Sequence, residues 1–161
     1  MLCKRNSHRR QEDRHGLAMI EFAMVLPIMI MVVLGVIEFA RAFEVSTILE
    51  TAAREGARLG MLSNIDTEDL SANQRVIQDV KRFVAAAGVP ADDLEVTITG
   101  WEVPNIATGT SGDPSNVNLE DATRTTFFEV EVTVPYESVA YTSPIFLGGA
   151  TLRGNLVGRH E

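Results

Sequence analysis

From Leu17 to Ile37 the chain carries 21 consecutive positions with a single ionisable side chain, Glu21. Counted from Gly16, the run amounts to about 33 Å of α-helix, enough for a hydrocarbon core of about 30 Å. The run therefore predicts a membrane-spanning helix. Pro27 and Gly35 suit that setting, since both residue types are better tolerated in membrane helices than in soluble ones, and Pro27 is expected to loosen or kink the helix locally. A carboxylate costs roughly 3 kcal/mol at mid-bilayer and less toward the edge, so Glu21 is a candidate functional residue whose partner has to be found. Its bland alternative is a hydrated, inert acid one turn inside the interface. No second apolar stretch comes later in the sequence, so the chain is expected to cross once at most.

Charge is distributed unevenly around this run. Residues 1–16 hold Lys4, Arg5, Arg9, Arg10 and Arg14 against Glu12 and Asp13, a net of +3. The remainder holds 9 basic and 20 acidic residues, a net of −11. A positive flank before an apolar run keeps the N-terminus in the cytoplasm and exports the residues beyond the run. An acidic exported domain argues against nucleic acid, whose phosphates demand the opposite sign. Cys3 is the single cysteine, so no intramolecular disulfide can form, and its surroundings lack the small residues expected before a lipidated cysteine.

The basic leader, Gly16, four further residues, Glu21-Phe22 and a long apolar helix resemble the processing site of type IV prepilins. The longer stretch Ile20-Glu21-Phe22-Ala23-Met24-Val25-Leu26-Pro27 resembles the TadE-like family of the tight-adherence (Flp) pilus system, as does Ala52-Ala53-Arg54-Glu55-Gly56-Ala57-Arg58. The resemblance covers about residues 16–60. It implies cleavage between Gly16 and Leu17 by a prepilin peptidase, with Glu21 as the family's acidic residue, followed by Phe22, in subunit assembly. It also implies an inner-membrane protein with a periplasmic domain, other pilins or pseudopilins and the assembly platform as partners, and a place in adhesion and biofilm formation.

Beyond the apolar run the helical pattern continues. Ile48, Leu49, Ala52, Ala53, Gly56, Leu59 and Gly60 share one face, and Glu50 and Arg54 form an i,i+4 pair. Ala52, Gly56 and Gly60 make this face small, so another element can approach closely. It packs either on the chain's own domain alone or on neighbouring subunits as well. Asn64–Asp69 reads as a polar turn. A second helix is expected from about Ser71 to Ala87, with Val76, Ile77, Val80, Phe83, Val84 and Ala87 inward and Gly88 and Pro90 ending it.

Strand patterns take over from there. Leu94, Val96 and Ile98 alternate up to Trp101, Thr125–Val134 alternates throughout, and Ala150–Leu156 forms a last strand. Pro104–Ala122 reads as a long exposed loop, and an irregular connection lies between Pro135 and Pro144. The fold class is α+β, with a long N-terminal transmembrane helix continuing into a periplasmic domain of a second helix and a small antiparallel sheet, a pilin-like plan. The segments are a leader at 1–16, a transmembrane helix at 17–39, its periplasmic extension at 40–62, and a small α+β domain at 63–161.

Catalysis finds little support. His8, His15 and His160 lie in the leader or beside the C-terminus, leaving no Ser-His-Asp or Cys-His arrangement and no zinc ligand set. The glycines near 109 and 148 make no phosphate-binding fingerprint. Oxygen ligands at Asp113, Ser115, Asn116, Asn118, Glu120 and Asp121 raise calcium, but Val117 breaks the EF-hand spacing. Glu129 and Glu131 share a strand face, where a solvated surface is commoner than acid–base work. The expectation is a non-enzyme with no cofactor and no metal.

The leading expectation is a minor pilin or pseudopilin cut after Gly16, leaving 145 residues. Glu21 would then attract the free Leu17 amine of an adjacent subunit in the low dielectric of the membrane. Because the domain is much larger than a major Flp pilin, the resemblance implies an initiating, capping or assembly role rather than that of the repeating shaft unit. One alternative is an unprocessed bitopic protein whose periplasmic domain senses or scaffolds. Another is a secreted domain cut after Ala40-Arg41-Ala42, against which stand Glu21, the charges Glu38 and Arg41, and a helical pattern crossing the cut.

Overall fold

A single helix, α1 (Arg9–Met61), carries the apolar run and its continuation without a break, passing through Pro27. The computed structural model describes residues 9–61, 71–102, 115–116, 119 and 126–159. At 53 residues α1 is about 80 Å long. Its exposed ion pairs, Arg54–Glu50 at 3.8 Å and Arg58–Glu55 at 3.9 Å, each contribute only about 0.3–0.5 kcal/mol. Packing of the upper face does more: Val45, Leu49, Ala52, Ala53 and Ala57 are buried in the core.

Helix α2 (Ala72–Ala86) is closed at both ends by its own sequence. The Ser71 hydroxyl accepts the Gln74 N–H and the Gln74 side chain accepts the Ser71 N–H, a reciprocal capping box. At the other end Gly88 takes φ +81°, and the N–H groups of Gly88 and Val89 return to the carbonyls of Ala85 and Val84. This is the Schellman arrangement, and it requires the residue without a Cβ. Val76, Val80 and Val84 then face α1 and the sheet, whereas Phe83 and Ala87, expected on the same stripe, are exposed at the end of the helix.

The sheet has the order β2-β1-β3-β4, with every pairing antiparallel. Its members are β1 (Glu95–Glu102), β2 (Ser115–Asn116), β3 (Thr126–Pro135) and β4 (Thr151–Arg159). Phe128, Val130, Val132 and Val134 of β3 are fully buried under α1 and α2. On the outer face Glu131 meets Arg153 at 2.7 Å and Glu129 accepts the Asn155 amide at 2.7 Å. The two paired carboxylates thus face cross-strand partners on a solvated surface.

Three strands were expected and the sheet adds β2, a two-residue edge inside the stretch read as an exposed loop. From that same stretch Leu119 is buried, and its N–H donates to the Asn73 side chain at 3.0 Å. A single leucine among polar residues gives no periodicity to detect. The connection after Pro135 contains a short helix, α3 (Tyr136–Val139), whose Tyr136 and Val139 are buried. The Asn64–Asp69 turn lies outside the described residues, as do Asp113, Asn118, Glu120 and Asp121 of the calcium candidate.

Strand β4 lies directly on the backbone of α1. A Cβ at Gly154 would fall against the Leu49–Glu50 peptide, 2.7 Å from the Leu49 carbonyl oxygen. Glycine here lets strand and helix touch main chain to main chain. The result is an α+β layout whose sheet wraps one side of the upper half of α1.

Candidate functional site

The lower half of α1 holds the residues singled out by the sequence. Gly16 has open space around it, with nothing within 4 Å of where a Cβ would stand. Leu17, Glu21 and Phe22 are all exposed. Leu17 and Glu21 are four residues apart on one helical face, about 6 Å along the axis. Apart from Gly35, every residue from 16 to 37 is exposed, so most of the surface of this stretch is open to an apolar surrounding or another helix.

Ala52, Gly56 and Gly60 lie elsewhere. All three are buried inside the subunit. A Cβ at Gly56 would approach the Val80 side chain at 2.6 Å, and one at Gly60 the Phe128 ring at 2.9 Å. This small face is covered by the chain's own α2 and β3, which accounts for its small residues without a second subunit.

Between these two regions the structure assembles a polar centre that sequence reasoning did not identify. Glu38 is only 9% exposed and Arg41 only 8%. The Glu38 carboxylate accepts the backbone N–H groups of Ile145 (3.1 Å), Phe146 (3.1 Å) and Leu147 (2.8 Å). The Tyr136 hydroxyl donates to the Glu38 carbonyl at 3.0 Å. Arg41 donates through Nε to the Val139 carbonyl at 3.1 Å, pairs with Glu44 at 2.9 Å, and lies over the Tyr141 ring, 4.5 Å from its centre. Each charge on this turn of helix is therefore spent on holding α3 and the 141–149 loop.

Electrostatics follow from the burial. Tyr136 is shut away from water, and with the Glu38 carboxylate nearby its hydroxyl is pushed above the ordinary 10.0, partly offset by Arg41. The phenol stays a neutral donor at any ordinary pH. Below the carboxylate, the Phe146 ring rests against Gly35, 3.3 Å from where a Cβ would stand. It closes one side of an open apolar groove of about 620 Å³ that runs along α1 from Met31 to Phe43.

The sequence had shown Glu38 and Arg41 only as charges next to a conceivable cleavage site. Their partners are backbone groups about a hundred residues away, which leave no mark in residue identity. One signal was available: a buried-type carboxylate three residues before an arginine, immediately after an apolar run. Among the described residues, no three His, Cys, Asp or Glu side chains gather as metal ligands.

Among the described residues one helix is long and apolar enough to cross a membrane, with mean hydropathy 2.6 over an 18-residue window that is wholly exposed. No curated protein and no solved structure matches the chain. Residues 16–58, a stretch that lies wholly within α1, match the family model described as TadE-like protein.

Proposed function

We propose that the protein is a minor pilin or pseudopilin of a tight-adherence pilus, processed by a prepilin peptidase after Gly16. The observation that carries the reading is the coincidence of the TadE-like match with a stretch of α1, residues 16–37, that is exposed at every position but Gly35. In this reading residues 1–16 are a cytoplasmic leader, 17–39 cross the inner membrane, 40–62 extend into the periplasm, and 63–161 form the exported domain. Cleavage exposes the Leu17 amine. Glu21 receives that amine from an adjacent subunit, and in a low dielectric the attraction far exceeds that of a wet surface pair. It fixes the axial register while the apolar helices bundle.

The reading contains no catalytic step, cofactor or metal. Subunit contacts fall to the open lower half of α1, since the small upper face is occupied within the subunit. A domain with its own sheet and second helix suits an initiating, capping or assembly role with other pilins and the assembly platform. The direct experiment is mass spectrometry of the N-terminal peptide of protein purified from its native membrane. A start at Leu17 is expected. A start at Met1 would replace this reading with an unprocessed bitopic protein whose periplasmic domain senses or scaffolds.

A further inference from the structure

We propose that the 141–149 loop is seated in lipid, so that the exported domain sits partly within the outer face of the same membrane its helix crosses. This inference rests on the reading of residues 17–39 as a membrane span. The loop does not stop above that span but descends beside it. Ile145 shares a small cavity with Leu34, Ile37 and Glu38, and the Phe146 ring stands against Gly35. Gly35 lies inside the apolar run, two residues before its end.

Length favours a loop in lipid. Keeping it in water would withdraw residue 35 and those beyond it as well. The remaining apolar stretch, 17–34, measures about 27 Å, shorter than a hydrocarbon core of about 30 Å. Keeping the full span in lipid carries Phe146 in with it.

The surface of the loop matches such a setting. Outside α1 the described large apolar side chains left exposed are Phe83, Tyr141, Ile145, Phe146 and Val157. Three of these five stand in this one loop, with Tyr141 71%, Ile145 60% and Phe146 48% exposed. They continue a band that includes Phe39 and Phe43 of α1. Aromatic residues with one wet and one apolar end collect at the membrane–water boundary. The apolar groove between Phe146 and α1 is continuous with the lipid-facing surface of the span, so acyl chains are its occupant.

The backbone argument is independent. Irregular chain at membrane depth is tolerated only when its polar groups are satisfied within the protein. Here the N–H groups of Ile145, Phe146 and Leu147 all end on the Glu38 carboxylate, that of Gly149 on the Glu137 carboxylate, and that of Ala150 on the Leu147 carbonyl. The arrangement gives a reason for a buried acid at the edge of an apolar run: it accepts the donors of a loop that water cannot reach.

The test uses the full chain with Cys3→Ser and one new cysteine carrying an environment-sensitive nitrobenzoxadiazole probe. It is reconstituted in phosphatidylcholine–phosphatidylglycerol vesicles containing lipids with a nitroxide near the top or at the end of the acyl chain. Ile145→Cys should give blue-shifted emission and lose more of it to the shallow nitroxide than to the deep one. Met24→Cys should be quenched by the deep one, and Arg58→Cys by neither. Water-like, unquenched emission at position 145 with normal quenching at 24 would overturn the lipid-seated loop while leaving the span intact. Loss of quenching at 24 as well would overturn both. A blue shift at 145 that disappears when the protein is diluted into more lipid would overturn it in favour of a second copy of the chain.

Discussion

The carboxylate of Glu38 accepts the backbone N–H of Leu147 at 2.8 Å, joining the helix to a loop 109 residues away in sequence. Two neighbouring N–H groups share the same acceptor, so the loop is held by its main chain and tolerates a change of side chain. Glu38→Gln keeps the shape but removes the charge and introduces an amide with nothing to donate to. Hydrogen bonds to a charged group contribute about 1.5–3 kcal/mol, and Glu38→Gln should therefore destabilise the domain by about 2 kcal/mol. Denaturation of the detergent-solubilised chain, followed by circular dichroism, measures this. Faster hydrogen exchange at 145–147, with the sheet unchanged, would localise the loss to the loop.

Gly154 presses on the Leu49–Glu50 backbone, where a methyl group has no room. Main chain yields less readily than a side chain, so Gly154→Ala should cost about 3 kcal/mol, at the upper end of overpacking effects. Gly88→Ala, at φ +81° with open space around it, should cost about 1 kcal/mol by backbone strain alone. Comparing the two midpoints in urea separates crowding from strain. An equal loss at both sites would show that β4 does not rest on α1 as described.

Gly16 is surrounded by empty space, so a bulky side chain there leaves the fold untouched. Gly16→Leu should give a folded but uncleaved precursor. Immunoblot mobility and the mass of the N-terminal peptide report the outcome. Normal maturation of this variant would place the cut elsewhere.

Glu21→Leu makes the span more apolar and should insert at least as well as the parent chain. It should nevertheless fail to enter a pilus complex, because the Leu17 amine of a neighbour loses its counter-charge. Co-purification with the other pilus proteins is the readout. Wild-type piliation would remove Glu21 from assembly.

Tyr136 has its pKa raised above 10.0 by burial, then by Glu38, so folding favours the neutral phenol. A folded value above the unfolded one means that the contribution to stability is complete below pH 10 and falls as pH rises through the folded value. Tyr136→Phe should lower stability at neutral pH by about 1 kcal/mol through loss of the bond to the Glu38 carbonyl. It should also remove one alkaline component of unfolding, measurable as a flatter stability curve above pH 10.

Residue pattern foretold the elements far better than their contacts. The stripe Val76, Val80 and Val84, the alternation of β3, and the small face at Ala52, Gly56 and Gly60 are periodic, and periodicity survives in a linear sequence. Leu119 has no neighbour of its kind within a period and was read as part of an exposed loop. Glu38 was visible as a charge but not as an acceptor, because the groups it binds are peptide N–H groups common to almost every residue. Gly154 falls within the expected last strand, Ala150–Leu156, with nothing in the pattern to set it apart. Its actual demand, contact with another backbone, depends on where α1 lies in space.

The unbroken course of α1 from the apolar run into the core makes the helix a lever. Met61 stands 24 residues beyond Ile37, about 36 Å along the axis. A tilt of about 20°, ordinary for a helix in a bilayer, would swing that far end sideways by about 12 Å. Since β4 rests on the helix backbone and Glu38 ties down the loop at the pivot, the sheet must travel with it. The angle of one helix among its lipid or protein neighbours thus sets where the outermost surface of the domain points.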